Sequence, residues 1–159
     1  MKLECAVAFT LRDAVMDDLD ALWRIDQKCF AGGIAYAQSE LKFFMRRRGS
    51  FTLVAMDESG RKIAGFIVAH AGAVGHIITI DVVAAARRFG VGSQMLRAAE
   101  ERLRDAGMRV VSLEAAVNNA GALSFYRRHN YEIVKTVPGY YSDGADAYML
   151  RKFLVAESA

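Results

Sequence analysis

Arg87-Arg88-Phe89-Gly90-Val91-Gly92 leads into the longest helix that the sequence predicts, Val91 to Ala106, in which Val91, Met95, Ala99, Arg102 or Leu103, and Ala106 form one stripe. Gly107 ends that helix, and a predicted strand, Gly75 to Val83, precedes the glycine loop. Glycines at such a junction let a ligand approach the backbone closely. The unpaired amides of a helix start, with the helix dipole behind them, suit a diphosphate. A dinucleotide fingerprint would need a third glycine where Met95 stands, and a phosphate loop of the Gly-Lys-Ser/Thr type is absent.

Outward from this loop the chain alternates strands and helices. Ala6 to Arg12 reads as a strand, and Asp13 opens a helix whose stripe runs Val15, Leu19, Leu22, Ile25 or Asp26, and Cys29. Phe30 to Tyr36 is a loop, and Ser39 caps a second helix through Arg46. Phe51–Met56, Ile63–His70 and Gly75–Val83 form an antiparallel meander. After the long helix come an apolar strand, Met108 to Leu113, and a helix capped by Asn118 or Asn119 that runs through Arg128. A closing strand pair, Tyr131–Val137 and Ala145–Leu154, completes the order. One mixed α/β sheet in a single domain, residues 1–159, follows.

Composition narrows the function classes. With 21 Lys and Arg against 18 Asp and Glu, the net charge of +3 suits an anionic small molecule and is too small to argue for nucleic acid. Arg46-Arg47-Arg48 reads as a solvated helix end without interleaved aromatic residues; contact with an acidic partner such as a ribosome stays open. Two cysteines, Cys5 and Cys29, make no disulfide framework, so a reducing cytoplasm is expected. Ile63 to Ile80 lacks charges, but its glycines and histidines dilute it below a membrane span, and Arg12-Asp13 interrupts any leader-like run. His70 and His129 have no partner at metal-ligand spacing, so no metal is expected.

Four islands in chain order give the sequence a recognisable likeness. Arg87, Gly90 and Gly92 match Arg/Gln-x-x-Gly-x-Gly/Ala, the signature of the GNAT N-acetyltransferase superfamily, which the chain resembles over essentially its whole length. Leu113-Glu114, Asn119 and Phe125-Tyr126 resemble the corresponding segment of RimI-like ribosomal-protein acetyltransferases. Gly75-His76-Ile77 and the stretch from Tyr140-Tyr141 to Tyr148 resemble archaeal and eukaryotic N-terminal acetyltransferase catalytic subunits.

The resemblance implies a sheet of about seven strands, mostly antiparallel and splayed at its centre, with about four helices. It implies acetyl-CoA in the splay. A bulge over Ile80-Asp81-Val82-Val83 would free amides for the pantetheine and the acetyl carbonyl. Arg87 and the run Arg88, Phe89, Gly90, Val91, Gly92 and Ser93 would wrap the diphosphate, and Asn119 would bond the pantetheine arm. Tyr126 would sit beside the sulfur as general acid. Phe30, Gly33 and Tyr36 would form one wall of the acceptor groove, with Tyr140 and Tyr141 forming the other.

Glu114, at the end of an apolar strand, is an expensive carboxylate unless paired with an arginine or used; a general base acting through water is the favoured reading. His76 is balanced between a structural residue and a second base. Neither cysteine is expected near the site, which disfavours an acyl-cysteine intermediate. The chain departs from the relatives at Ala31-Gly32-Gly33, at Ala116, and at His129-Asn130-Tyr131, where many end Gly-Phe. The expected activity is acetyl transfer to a primary amine, foremost the N-terminal α-amine of a protein or peptide, by a monomer or homodimer. A small-molecule amine acceptor ranks second, and a non-catalytic acyl-CoA-binding regulatory domain ranks third.

Overall fold

A computed structural model describes residues 9–30 and 34–154. Its elements are β1 (Thr10–Asp13), α1 (Leu19–Cys29), α2 (Gln38–Arg46), β2 (Ser50–Met56), β3 (Ile63–Ala71) and β4 (Gly75–Val82). They continue with α3 (Val91–Asp105), β5 (Val110–Ala116), α4 (Ala120–Arg128), β6 (Glu132–Val137) and β7 (Ala147–Phe153), with two 3₁₀ turns at Met16–Asp18 and Ala84–Ala86. The strands form one 7-stranded sheet in the order β1-β2-β3-β4-β5-β7-β6. β7 inserts between β5 and β6, so the closing pair joins the sheet through its second member.

Each face of the sheet carries its own core. On one face α3 buries Val91, Met95, Leu96, Ala99 and Leu103 against Ile67, Val111, Leu113 and Leu150, and Tyr126 of α4 joins them. On the other, Leu22 of α1 and Leu41 of α2 pack on Val54, Phe66 and Val68. β3 supplies both layers from alternate residues, and its centre, Ala64 to Ala69, is buried throughout.

The first helix begins later than its sequence pattern suggests. Asp13 still pairs with Leu53 in the β1–β2 ladder, and the Ala14 amide continues it by donating to the Thr52 carbonyl at 2.9 Å. Asp18 then organises the turn: its carboxylate accepts from the Val15 amide at 2.8 Å and takes Arg12 in a fork at 2.8 and 2.9 Å. Nor does Ser39 cap α2. The helix starts at Gln38, and Glu40 reaches back to accept from the Ala37 amide at 3.0 Å. At the far end of α4 the departure from Gly-Phe has a backbone explanation. Asn130 adopts φ +69°, the left-handed conformation that asparagine tolerates best after glycine, and the Tyr131 amide closes on the Tyr126 carbonyl.

Two irregularities of β4 make the site. First, Thr79 pairs with Val68 while Ile77 pairs with Ala69, so the extra residue is Ile78. The bulge therefore precedes the Ile80–Val83 stretch expected to carry it. Ile77, Ile80 and Val82 all face the α3 core, an interval of three residues that breaks the strand's alternation and turns Asp81 toward α1. The Val83 amide is already bound to the Ala64 carbonyl at 2.9 Å. Second, β4 and β5 run parallel but pair only at Gly75–Val111 and His76–Ser112; beyond that point they separate.

Candidate active site

The parted strands open into a cleft of about 910 Å³ that reaches from the glycine loop to the β6–β7 connection. At the loop end, Arg88 adopts φ +74° and Gly90 φ +80°, two left-handed residues flanking Phe89. The first α3 amide with a helical partner is that of Gln94, which donates to the Gly90 carbonyl at 3.0 Å. The amides of Val91, Gly92 and Ser93 thus belong to the unpaired first turn, all three residues line the cleft, and the dipole points with them. These are the features a diphosphate requires. Ser93 Oγ lies 2.8 Å from His129 Nε2, and the His129 ring packs on Phe125 with centroids 4.8 Å apart. Burial lowers the His129 pKa.

At the other end stands Glu114. Val111, Leu113 and Ala115 turn into the α3 core, leaving Glu114 on the opposite side of β5. Its Oε2 is 2.7 Å from His76 Nε2, the ring that the β4–β5 pairing brings alongside. The Tyr140 phenol faces the same carboxylate, whose charge acts on it. The partner of Glu114 is thus a histidine rather than an arginine. Burial first, and the Glu114 charge second, push Tyr140 and Tyr141 up to about 12. Burial raises the Tyr126 pKa further still, so its phenol stays neutral in the ordinary range.

Most of the expected residues share this cleft. Ile80, Asp81, Val82, Arg87, Arg88, Gly90, Val91, Gly92, Ser93, Asn119 and Tyr126 line it, as do Glu114, Phe30, Tyr36, Tyr140 and Tyr141. His76 touches it through Glu114. Val83 and Phe89 do not line it, Phe89 being turned to solvent and Val83 held by Ala64. Gly33 lies outside the described residues, as does Cys5. Asn119 Oδ1 is occupied as the cap of α4, accepting from the Ala122 amide at 3.1 Å.

Cys29, expected to be remote, lines the cleft: its Sγ is 3.5 Å from the Val82 carbonyl and 3.8 Å from Arg87 Nη2. Burial raises the thiol pKa, which leaves it a weak nucleophile. Two further residues belong to this site: Arg128, which lines the cleft from the end of α4, and Asp26, buried beneath the groove wall. The arginine had a signal, two cations in a helix's last turn; the aspartate had only an ambiguous place on a stripe.

Residues 19–131 match the model of the acetyltransferase (GNAT) family. The chain belongs to that family. An N-alpha-acetyltransferase of Saccharolobus solfataricus is 28% identical over 161 aligned positions, spanning 91% of this chain and 92% of that protein. Among solved structures, Ard1 from Thermoplasma volcanium superposes with a TM-score of 0.85 at 27% identity, covering 94% of this chain and all of the other. Arabidopsis thaliana NAA60, solved in complex with acetyl-CoA, reaches 0.77 at 18% identity over 92% of this chain and 99% of its own, a likeness of fold. Among the described residues there is no group of three or more His, Cys, Asp or Glu able to hold a metal, and no helix long and apolar enough to cross a membrane.

Proposed function

We propose that this GNAT acetyltransferase moves the acetyl group of acetyl-CoA to the N-terminal α-amine of a protein or peptide by direct attack in a ternary complex. The observation that carries this reading is Glu114. It is a carboxylate in contact with His76 and faced by Tyr140, in the same cleft as the unpaired amides of the Arg87–Ser93 turn. The similarity to archaeal N-alpha-acetyltransferases supports the choice of acceptor.

When bound, acetyl-CoA supplies a thioester whose carbonyl carbon accepts the amine. The residues of the chain do the rest. The first-turn amides of α3, with Arg87 and Arg88, hold the diphosphate. Glu114, with His76 at its Oε2, takes the ammonium proton directly or through water. With the coenzyme bound, Tyr126 would give its proton to the departing sulfur as the amine takes the acetyl group.

Amine acidity favours the α-amine. With a pKa near 7.7–8.0 it needs only about 1 kcal/mol to become neutral at pH 7, against roughly 4.6 kcal/mol for a lysine near 10.4. A carboxylate can meet the first demand far more easily. The test is thiol release from acetyl-CoA over peptides that vary in their first two residues, with a lysine peptide blocked at its N-terminus as control. Release with free N-termini is expected; transfer to the blocked peptide alone would overturn the assignment. Association with ribosomes, through the exposed Arg46-Arg47-Arg48 run, belongs to the same proposal and is checked by cosedimentation at low and high salt.

A further inference from the structure

We propose that Asp26 of α1 and Asp81 of β4 hold one proton between them, and that this acid pair positions the acceptor-side wall of the cleft by seating Tyr36 against β4. Both residues are fully enclosed, at 0% and 1% exposure. Two of their four carboxyl oxygens have donors: Asp26 Oδ2 accepts from the Tyr36 amide at 2.7 Å, and Asp81 Oδ1 from the Thr79 hydroxyl at 2.6 Å. The other two, Asp26 Oδ1 and Asp81 Oδ2, are buried without a donor where α1 packs against β4, close enough that the Asp26 carboxyl acts on Asp81. Two ionised carboxylates enclosed side by side, each with an oxygen lacking a donor, would be strongly unfavourable. One shared proton satisfies both orphan oxygens and leaves a single charge.

The surroundings favour keeping the proton. Cys29 of α1, Tyr36 after it, Thr79 on β4 and Tyr126 of α4 face the pair, and all are neutral groups in the ordinary pH range. Arg87, the cation that reaches this neighbourhood, is engaged with Cys29 and the Val82 carbonyl. Burial, followed by the Asp26 contact and charge, holds the Asp81 carboxyl well above the usual carboxylate range.

The pair's position gives it a task. Tyr36 is anchored twice, by its amide on Asp26 and by its hydroxyl on the carbonyl of the bulged residue Ile78 at 3.3 Å. Without the β4 bulge Asp81 would face the α3 core and could not meet α1. Loss of the shared proton would set two buried charges against each other at the base of the Tyr36 wall. That this wall receives the acceptor rests on the function proposed above.

Two measurements on the full chain test the inference. Carboxyl carbon-13 spectra of aspartate-labelled protein, assigned with Asp26→Asn and Asp81→Asn, should show one member of the pair at a protonated shift at pH 7. Two ionised carboxyls at pH 7 would overturn it. In the thiol-release assay, Asp81→Asn keeps a donor for Asp26 Oδ1, whereas Asp81→Leu leaves that oxygen buried with no donor, the Tyr36 amide alone holding the carboxylate. The peptide KM of the leucine variant should exceed that of the asparagine variant by about tenfold or more, with acetyl-CoA KM differing by less than about threefold. Equal peptide KM values, or a difference confined to acetyl-CoA, would overturn the positioning role. If wild-type protein released no thiol with any peptide, the acceptor assignment would fail while the carbon-13 result still decided the shared proton.

Discussion

Glu114 stands on a strand whose alternate residues enter the α3 core, while His76 of β4 bonds its carboxylate and Tyr140 of the β6–β7 connection faces it. Replacing it by glutamine removes the proposed proton acceptor with little change in shape. Turnover should fall about 10²- to 10³-fold, within the range for a lost general base. Tyr126→Phe should cost less, under about 10²-fold, because a thiol of pKa near 8.5 leaves readily without help. Steady-state rates of the two variants check that order. The raised Tyr126 pKa also gives a sign for the proposed proton donor: the phenol keeps its proton as pH climbs. The alkaline limb of kcat below pH 10 should therefore be the same shape in wild type and Tyr126→Phe. Glu114 was legible in the sequence because a carboxylate in an apolar run is costly. Cys29 was not, since its cleft contacts, Val82 and Arg87, are more than fifty residues away in the chain. Asp26 was hidden for a similar reason: a helical stripe tells which face is buried, and only the bulge in another strand tells what waits there.

The turn from Arg87 to Ser93 was readable as an element because glycine placement is a backbone requirement and backbone requirements are local. Gly90 illustrates it: a methyl group there would meet no atom within 4 Å, so the constraint is its φ of +80° alone. Gly90→Ala should cost about 1 kcal/mol of loop conformation and raise acetyl-CoA KM several-fold with peptide KM unchanged, a split that steady-state kinetics resolves. Gly65 is the opposite case. A Cβ there would lie 2.5 Å from the Asp81 carbonyl, so Gly65→Ala must push β3 from β4 where the acid pair sits. Thermal unfolding should register a loss of roughly 2 kcal/mol or more, the scale of an overpacked core. The bulge at Ile78 could not be placed from sequence, since no glycine or proline marks it and its register is set by β3.

At the scale of the molecule, the order of strands and helices followed from periodicity, while the exchange of β6 and β7 in the sheet did not, because neighbouring segments carry no sign of which one docks on β5. Arg12 and Asp18 show how ends are secured across such a fold. The Arg12 hydrogen bond and charge hold the Asp18 carboxyl below its ordinary value. Its stabilising effect is therefore present above the unfolded carboxylate range near 3.9 and fades as pH falls through the lower folded value. Partial exposure limits this to about 1 kcal/mol or less. Melts of Asp18→Asn and wild type should differ at pH 7 and converge below about pH 3.

The brief pairing of β4 with β5 has one more consequence. Two residue pairs alone carry the backbone ladder between the four-stranded block and the three-stranded one, so past that corner the halves are held together by side chains, the α3 core and the His76–Glu114 contact. Coenzyme laid into the gap would act as a keystone, and amide hydrogen exchange should slow along both facing strands well beyond the atoms it touches.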